Sequence, residues 1–474
     1  MPPELLDRLH AHGQEHVLTG WDTLPLEGQV TFVAELAALD FAELATLYAR
    51  RSEPHAALPS RDRLRPIPVD EPADSARPVG EDALRRGELA VLVVAGGQGT
   101  RLGFDKPKGL FPVGPVSGAT LFRIHAEKVF ALGRRYGKPV PFLVMTSPAT
   151  HEETVAYFEA ERFFGLDPES VHFFTQGTMP ALDLATGKLL LEAPGKVFLS
   201  PNGHGGTLTA LTDSGLLPRL KEDGIRHVHY FQVDNPLVNV GDPAFLSRHI
   251  ETAAEVSSKV VFKENAAEKV GVLALVDGKC GIVEYSDMPA AMAEERAADG
   301  NLAFKAGNPA IHLFAVDFLE RVTTGRQRLA FHVARKKVPH WNPATGEMVT
   351  PDAENALKFE LFVFDALPLA DRWRTVRTAR EDEFAPLKNA TGADSLATCQ
   401  AGMIARARRW LTAAGATVAD GAAVEISPAF ALDEAELRGK VAAGTALDTP
   451  RFFSEELTTE AQRHREDKTR MEES

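Results

Sequence analysis

Glycines and basic side chains that could bind phosphate are concentrated in one short stretch of the sequence. Gly96, Gly97 and Gly99 follow directly on an apolar run, and Arg101 and Lys108 come soon after them. Backbone without Cβ atoms can approach an anion closely and direct several N–H groups at it. Arginine binds phosphate oxygens as a fork, and lysine adds a point charge. The pattern therefore favours a nucleotide-binding loop over a simple glycine turn.

The stretch does not match the sequence patterns of two familiar phosphate-binding loops, the P-loop and the dinucleotide-binding loop. The P-loop requires a Gly-Lys-Ser/Thr ending, which is absent. In the dinucleotide fingerprint the third glycine would fall at Leu102, whereas Gly103 comes one residue late. The next predicted strand ends in Thr146-Ser147, without the acidic residue that binds a ribose. A nicotinamide-dependent dehydrogenase is therefore disfavoured, and a nicotinamide fluorescence titration would test it.

A carboxylate stands at the end of another predicted strand, in the sequence Val233-Asp234-Asn235-Pro236. Ligands of open parallel sheets bind at the carboxyl ends of the strands. A carboxylate beside phosphates needs a cation between them, so Asp234 is a candidate Mg²⁺ ligand. A helix N-cap is the alternative interpretation of the same aspartate.

Composition restricts the class of protein. The 474 residues include 52 basic and 66 acidic ones, a formal net charge of −14, which argues against nucleic acid or an anionic membrane as the main partner. No apolar run approaches the length of a membrane helix, and the N-terminus carries no secretory pattern. Cys280 and Cys399 do not form a disulfide framework and fit a reducing compartment, so we expect a cytoplasmic protein.

The residues around these motifs alternate between strand and helix patterns. Such βαβ order predicts an α/β fold with an open, largely parallel sheet. A helix is expected over 122–136, ending at Gly137, and an antiparallel hairpin around Asp277-Gly278. Strands are expected at 89–95, 140–146, 171–175, 228–233 and 260–262.

The glycine-rich stretch from Val91 to Gly109 resembles the signature of the UDP-sugar pyrophosphorylase family, above all its UDP-N-acetylglucosamine pyrophosphorylases. The similarity covers most of the chain, from Gly13-Gln-Glu-His to Glu425-Ile-Ser-Pro. It implies a Rossmann-like nucleotidyltransferase fold of the GT-A-like kind, with a mixed, mainly parallel sheet flanked by helices. It also implies transfer of a uridylyl group from UTP to a sugar 1-phosphate with release of pyrophosphate.

The ends of the chain differ in pattern from its centre. Asp40 and Glu43 have capping-box spacing before a helical pattern. The stretch from about residue 63 to residue 80 is rich in proline and acidic residues and is expected to be a linker or a surface crossing. The segment after Cys399 is alanine-rich and is expected to be less regular. We therefore predict an N-terminal helical region with linker (1–80), a catalytic nucleotidyltransferase domain (81–400) and a small C-terminal region with a charged tail (401–474).

The resemblance also implies roles for individual residues. The catalytic cations would be Arg101, Lys108 and Lys388, with Lys358 a lesser candidate for the same cluster, and Asp234 would hold the metal. Gly96, Gly97, Gln176 and Gly203 would bind the nucleotide, with Gln176 and Gly203 at the uracil. Judged from residue type alone, Gln176 fits an exposed loop equally well, and Lys388 fits a surface loop.

For the sugar, the resemblance points to a further set of residues: Gly271, Glu284, Asn308, Phe362, Phe364 and His204. His204 stands where the acetylhexosamine enzymes usually carry asparagine, and it resembles the glucose-1-phosphate uridylyltransferases. The Glu284 and Asn308 segments resemble the acetylhexosamine branch, so N-acetylglucosamine 1-phosphate ranks only slightly ahead of glucose or galactose 1-phosphate. By spacing alone, Phe362 and Phe364 could equally be the core face of a strand. A nucleotide-sugar-binding protein without turnover is the distant alternative, and the oligomeric state stays open.

Overall fold

A computed structural model describes residues 1–51, 60–71, 77–324 and 329–455 of the chain. Residues 456–474, in the predicted charged tail, lie outside these ranges. The α-helices are α1 Pro3–Ala11, α2 Leu26–Ala37, α3 Phe41–Ala49, α4 Arg77–Arg86, α5 Leu121–Tyr136, α6 His151–Ala160, α7 Gly206–Asp213, α8 Leu216–Glu222, α9 Pro243–Glu251, α10 Ala290–Ala293, α11 Val316–Thr324, α12 Arg380–Glu383, α13 Leu396–Ala413 and α14 Glu434–Arg438.

The strands are short, and several pair only locally. They are β1 Leu64–Pro66, β2 Leu89–Val94, β3 Phe142–Thr146, β4 Val171–Thr175, β5 Thr178–Pro180, β6 Leu182–Asp183, β7 Leu191–Ala193, β8 Lys196–Val197, β9 Leu199–Pro201, β10 His227–Gln232, β11 Val256–Phe262, β12 Val272–Val276, β13 Lys279–Val283, β14 Ala306–Gly307, β15 His312–Ala315, β16 His332–Lys336, β17 His340–Asn342, β18 Glu347–Val349, β19 Ala356–Glu360, β20 Trp373–Arg377, β21 Thr417–Val418, β22 Val424–Ile426, β23 Ala446–Leu447 and β24 Arg451–Phe453.

The chain forms two compact units, each built from three separate segments. Unit 1 comprises Met1–Pro59, Gln176–Thr209 and Arg328–Asp365, and unit 2 comprises Ser60–Thr175, Ala210–Gln327 and Ala366–Ser474. Two stretches of the predicted catalytic domain thus pack with the N-terminal helices. The domain boundaries near residues 80 and 400 are not tested by this division into units, and they stay a prediction.

Unit 2 is organised around one large mixed sheet. Its strands follow the order β1-β12-β14-β11-β15-β10-β2-β3-β4, with β13 on β12 and β20 on β11. Strands β10, β2, β3 and β4 are parallel, whereas β15 is antiparallel to both β10 and β11. Strand β2 is almost entirely buried, as a continuous apolar run in a sheet covered on both faces should be. The predicted α/β fold with a mixed sheet is confirmed, and the parallel strands that were predicted form the block β10, β2, β3 and β4.

The pairing of β2 with β10 decides where the glycine-rich loop lies. Val94 is in register with Gln232, and the N–H of Val233 donates to the carbonyl of Val94 at 3.0 Å. Because the two strands are parallel neighbours, their carboxyl ends emerge side by side. The glycine loop and Asp234 therefore leave the sheet at the same edge.

Unit 1 packs helices α1–α3 against small antiparallel sheets. One sheet has the order β16-β19-β6 and another β18-β17-β7-β8, while β5 pairs with β9. Leu9, Phe32, Phe41, Leu357 and Phe359 belong to the core cluster of this unit. The Asp40 side chain accepts the Glu43 N–H at 2.9 Å, which confirms it as the N-cap of α3.

Two sequence interpretations outside the motifs are wrong. Part of the predicted linker is β1, which pairs antiparallel with β12, and Leu64 is fully buried there. A three-residue strand is too short to show a period. The segment expected to be less regular begins with α13, whose start carries a Ser395–Thr398 capping box. Alanine is the best helix former, so α13 needs little apolar periodicity to be helical.

A membrane-spanning helix is not found in the described ranges, because none of their helices combines the necessary length with the necessary hydropathy.

Candidate active site

The glycine-rich loop after β2 closes on itself. The N–H of Gly99 donates to the Lys106 carbonyl at 2.9 Å, and the N–H of Lys108 donates to the Gly97 carbonyl at 3.0 Å. A Cβ on Gly99 would stand 2.8 Å from the Phe104 carbonyl oxygen, so this position requires glycine. Gly97, by contrast, is exposed and would have open space around a Cβ. The closed loop leaves bare backbone at Gly97 and places Lys108 beside it.

Lys108 and Asp234 form an ion pair at the carboxyl edge of the sheet. The Lys108 Nζ lies 3.0 Å from the Asp234 Oδ2, and the two side chains are only 18% and 11% exposed. Partial burial weakens competition from water, so this pair is stronger than an ordinary surface pair. Arg101 lies on the same loop, in the short turn Thr100–Leu102, with its side chain exposed.

Lys388 is carried by a segment that bonds directly to the backbone of Asp234. The N–H of Leu387 donates to the Asp234 carbonyl at 2.8 Å, and the Lys388 N–H donates to the Asp394 carbonyl at 2.7 Å. Lys388 is half-buried and forms no ion pair within the described ranges. The structure thus brings the segments of three predicted residues together: Lys108, Asp234 and Lys388.

Asn235 holds this arrangement in place, although it belongs to none of the predicted site residues. Its Nδ2 donates to the Glu383 carbonyl at 2.7 Å, and its Oδ1 accepts the Ala385 N–H at 3.2 Å. The side chain is buried. An amide immediately after a buried strand was the available signal, because it can donate and accept at once.

The three predicted sugar-binding residues of unit 2 are also neighbours. The N–H of Asn308 donates to the Gly271 carbonyl at 2.9 Å. A Cβ on Gly271 would stand 3.1 Å from the Glu284 Oε1, so the glycine leaves room for that carboxylate. The β12–β13 hairpin, whose Asp277-Gly278 turn was predicted, provides the rigid support for this group.

In unit 1, the predicted uracil-binding residues are joined by the backbone. Gln176 is buried, and the carbonyl of the next residue, Gly177, accepts the Asn202 N–H at 3.0 Å. Gly203 has a φ of 84°, and a Cβ there would stand 2.5 Å from the Leu361 carbonyl oxygen. Only glycine fits such a position. Asn202 is a further residue that the sequence analysis left without a role, although it precedes Gly203.

His204 packs against the rings of Phe362 and Phe364, which were also predicted to bind the sugar. Its ring centre lies 5.3 Å from that of Phe362 and 5.6 Å from that of Phe364, and these two rings stack at 4.9 Å. The N–H of Val363 donates to the His204 Nδ1 at 3.2 Å. Burial lowers the pKa of His204 to about 4, with Asp365 acting in the opposite direction. The imidazole is therefore neutral near pH 7, carries its proton on Nε2 and can donate from that atom.

Lys358 lies on β19 and points its ammonium group over the ring of Phe198, with Nζ 5.0 Å from the ring centre. Burial lowers the pKa of this lysine. The aromatic ring therefore accounts for the position of the Lys358 side chain.

The carboxylate of Asp234 fits a magnesium ion that takes its other ligands from water and from a bound phosphate. No group of three or more His, Cys, Asp or Glu side chains with metal-binding geometry occurs in the described parts of the chain. Mg²⁺ commonly uses only one or two carboxylates and completes its coordination with water and phosphate oxygens. Asp234 can supply such a carboxylate, and the described residues offer no metal site built from protein side chains alone.

A glycine loop after a buried parallel strand of a mixed sheet, with cations and one carboxylate at the same edge, defines a nucleotidyltransferase-type α/β protein. A model of the UTP–glucose-1-phosphate uridylyltransferase family matches residues 42–429. The chain belongs to this family of UDP-sugar pyrophosphorylases, and the predicted enzyme class, a uridylyltransferase, is confirmed.

Relatives at 30% identity or more extend over most of the chain. A human UDP-N-acetylhexosamine pyrophosphorylase-like protein 1 is 38% identical over 87% of this chain and 86% of its own length. The UDP-N-acetylglucosamine pyrophosphorylase of Saccharomyces cerevisiae is 37% identical over 74% of this chain and 75% of its own. The crystal structure of the Trypanosoma brucei UDP-N-acetylglucosamine pyrophosphorylase, in complex with an inhibitor, has 30% identity and a TM-score of 0.78, covering 92% of this chain and 93% of that one.

Proposed function

We propose that this protein transfers the uridylyl group of UTP to N-acetylglucosamine 1-phosphate, forming UDP-N-acetylglucosamine and pyrophosphate. The observation that carries the proposal is the Lys108–Asp234 pair beside the glycine loop, with the Lys388 segment bonded to the Asp234 backbone. Bare backbone, separated cations and a metal-binding carboxylate are the groups that a triphosphate and a second phosphate require. The names of the yeast and trypanosomal relatives support the choice of sugar.

The reaction is a direct displacement at phosphorus. An oxygen of the sugar 1-phosphate attacks the α-phosphorus of UTP, the bond from that phosphorus to the β-phosphate oxygen breaks, and pyrophosphate leaves. The nucleophile is already an anion at neutral pH, so no strong general base is needed. Catalysis then depends on positioning and on neutralising the charge of the transition state.

The three basic residues divide between two proposed roles. Arg101 and Lys108 would bind the departing pyrophosphate, and Lys388 would bind the phosphate that attacks. Mg²⁺, when held by Asp234 with the substrate phosphates, supplies further positive charge to the phosphate oxygens. Lys108 can bind the pyrophosphate because the metal ion would neutralise the negative charge of Asp234, the present ion-pair partner of Lys108.

Apart from two glycines, the residues assigned to the base and the sugar have polar or aromatic side chains, as carbohydrate and nucleotide sites usually do. Gln176 and Gly203 would contact uracil, while Glu284 and Asn308 would bind sugar hydroxyls. His204, a neutral donor from Nε2, is the one observation that favours a second candidate. An imidazole in place of the asparagine of acetylhexosamine enzymes is compatible with glucose or galactose 1-phosphate as the acceptor.

Initial rates of pyrophosphate release with the three sugar 1-phosphates test the proposal. We expect N-acetylglucosamine 1-phosphate to give the highest kcat/KM, and Lys108→Ala protein to define the background. A large advantage for glucose 1-phosphate would replace the proposed acceptor by the second candidate. Absence of pyrophosphate release with every sugar, while UDP-sugars still bind, would instead indicate a nucleotide-sugar-binding protein without turnover.

A further inference from the structure

Three buried charged side chains, Lys259, Asp242 and Glu383, form a cluster in unit 2, and none of them belongs to the predicted site residues. The Lys259 Nζ lies 2.7 Å from the Asp242 Oδ2 and also pairs with the Glu383 Oε1. The three side chains are only 2%, 16% and 7% exposed. Taking ions out of water is costly, so the geometry of this cluster has to satisfy each of its charges.

The charges of the cluster compensate one another. Burial alone would lower the pKa of Lys259, but the carboxylates of Asp242 and Glu383 outweigh burial and raise it. Burial alone would raise the pKa of Asp242, but Lys259 outweighs burial and lowers it. Lys259 is therefore an ammonium ion and Asp242 a carboxylate at neutral pH. Because Lys259 lies on β11 and Asp242 caps α9, the cluster is a rigid anchor for any segment attached to it.

Glu383 connects this anchor to the loop that follows Asp234. Its Oε2 accepts the Asn239 N–H at 3.2 Å, and its Oε1 accepts the Thr378 hydroxyl at 2.7 Å. A glutamine would keep the size of the side chain but replace one acceptor oxygen by an NH₂ group. That group would face either the Lys259 ammonium or the Asn239 N–H, donor against donor. The contacts on both sides of the carboxylate therefore require glutamate.

The segment that begins at Glu383 runs beside Asp234 and leads to Lys388. The Nδ2 of Asn235 donates to the Glu383 carbonyl at 2.7 Å, and the Ala385 N–H donates to the Asn235 Oδ1 at 3.2 Å. The N–H of the residue before Lys388 donates to the Asp234 carbonyl at 2.8 Å. The position of Lys388 relative to Asp234 therefore depends on where Glu383 starts the segment.

We propose that Glu383 is a positioning residue for the reaction: its carboxylate anchors the start of this segment to Lys259 and so fixes the backbone of Lys388 relative to Asp234. The inference rests on the proposed function, in which Asp234 holds the metal ion and Lys388 binds the attacking phosphate. In-line displacement needs these two groups in a set geometry, and a misplacement of about 1 Å can lower a rate by about 10²-fold. Glu383 acts through Lys388 and not by touching the substrate.

Glu383→Gln tests this role, and Glu381→Gln is its matched control on the same short helix, α12. Glu381 is exposed, so the same chemical change there leaves the cluster intact. We expect kcat for pyrophosphate release to fall about tenfold or more in Glu383→Gln while the Kd for UTP stays within about threefold, because Lys388 is displaced and the nucleotide loop is not. A kcat equal to that of Glu381→Gln, or an equal loss in UTP affinity, would overturn the proposal.

Asp242→Asn separates positioning from a general loss of stability. Like Glu383→Gln, it removes one carboxylate from Lys259, but its described contacts are with Lys259 and the first turn of α9 rather than with the 383–388 segment. We expect urea unfolding to show that both variants are less stable than wild type. The kcat of Asp242→Asn should nevertheless fall by less than about threefold. A loss of kcat as large as in Glu383→Gln would overturn the positioning role.

A double-mutant cycle with Lys388→Ala tests the route through Lys388. If Glu383 acts through Lys388, Glu383→Gln should lower kcat by no more than about threefold once Lys388 is already alanine. Two independent losses would instead multiply. The full tenfold loss in the Lys388→Ala background would therefore overturn the proposed route.

Hydrogen exchange of the unliganded protein tests the positioning without any turnover. The N–H groups that bond to Asn235 and Asp234 lie in the stretch 384–389, which should exchange about tenfold or more faster in Glu383→Gln and at the wild-type rate in Glu381→Gln. Equal exchange in the two variants would overturn the proposal. A wild-type protein without turnover would count against the proposed function, and the exchange rates would still decide whether Glu383 holds the segment.

Glu383→Asp keeps the buried charge and serves if Glu383→Gln fails to fold. Its carboxylate is one methylene shorter, so it cannot reach the Lys259 ammonium and the Asn239 N–H together. We expect kcat to fall and exchange of 384–389 to accelerate, each by about threefold or more. Wild-type values of both quantities in Glu383→Asp would overturn the proposal.

Discussion

The Nζ of Lys108 lies 3.0 Å from the Oδ2 of Asp234, and this pair joins the end of the glycine loop to the end of β10. The two residues are far apart in sequence and meet because β2 and β10 are adjacent parallel strands. In the proposed reaction this lysine lies beside both a phosphate oxygen of UTP and the metal ion. The pair also holds the lysine side chain in one place before substrate arrives, which reduces the cost of ordering it later.

Replacing Lys108 by alanine should reduce turnover strongly. The loss of one preorganised cation should lower kcat by about 10²- to 10³-fold, by analogy with the loss of an oxyanion-hole donor. Pyrophosphate release at saturating UTP measures this. Lys106→Ala is the matched control, since the Lys106 side chain is exposed and its ammonium group pairs with Glu153, at 3.5 Å, on the surface. A similar loss of kcat in Lys106→Ala and Lys108→Ala would refute the catalytic role of Lys108.

Asp234→Asn should raise the Mg²⁺ concentration that gives half-maximal activity. Asparagine keeps the shape of the side chain and loses the charge that a hard cation needs, so we expect a rise of about tenfold or more. Chelation with EDTA should abolish wild-type activity, and added Mg²⁺ should restore it. Asp223→Asn, on the exposed end of α8, should leave the Mg²⁺ dependence unchanged. Full activity in EDTA would contradict the proposal.

Lys388→Ala should affect turnover much more than UTP binding. The proposed partner of Lys388 is the attacking sugar phosphate, so kcat should fall about 10²-fold while the Kd for UTP changes by less than about threefold. Stopped-flow or calorimetric binding of UTP alone separates the two quantities. Lys221→Ala, at the exposed end of α8 beside Glu320, provides the control. Equal losses in turnover and in UTP affinity would refute the transition-state role.

Local sequence signals were sufficient for the parts of the fold that position the loop. The apolar run at β2, the helix that ends at Gly137 and the hairpin at Asp277-Gly278 each depend on residues close in sequence. The glycine loop could be recognised for the same reason. A Cβ on Gly99 would collide with Phe104, which is only a few residues away. Short-range sterics can be inferred without knowing the rest of the structure.

Contacts between distant segments were not predictable from the sequence. The strand at Leu64–Pro66 exists because it pairs with β12, and nothing in a three-residue pattern indicates that partner. The amide of Asn235 after a buried strand signalled a residue that can donate and accept, but its partners in the 383–385 segment could not be inferred. The assembly of unit 1 was not predictable either, because more than a hundred residues separate each of its three segments from the next. The resemblance named the site residues, but long-range packing determines which of them meet.

Acidification should destabilise the protein through buried histidines of unit 2. Burial lowers the pKa of His125 and of His229 to about 3 and that of His227 to about 4, against about 6.5 in the unfolded chain. Above pH 6.5 these groups are neutral in both states and cost nothing. Below pH 6.5 only the unfolded chain takes up their protons, so stability falls as the pH drops towards 4.

The expected loss is about 2 kcal/mol per buried histidine between pH 7.5 and pH 5. Urea unfolding at the two pH values measures it. His125→Gln removes one titrating group and should make stability less dependent on pH, even if the variant is less stable at pH 7.5. His10→Gln, on the exposed face of α1, should retain the full pH dependence. A flat stability profile for the wild-type protein down to pH 5 would contradict this account.

Gly203→Ala should destabilise unit 1 for two separable reasons. The φ of 84° is unfavourable for alanine, and the added Cβ would stand 2.5 Å from the Leu361 carbonyl oxygen, so we expect a loss of about 1–3 kcal/mol. Gly346→Ala isolates the first reason, since its φ is 74° and a Cβ there meets no atom within 4 Å. Gly28→Ala, inside α2 with ordinary contacts, should instead stabilise by up to about 1 kcal/mol. Urea unfolding should rank the variants in the order Gly28→Ala, wild type, Gly346→Ala, Gly203→Ala. If Gly203→Ala were as stable as Gly346→Ala, the close approach of the Leu361 carbonyl would not constrain this loop.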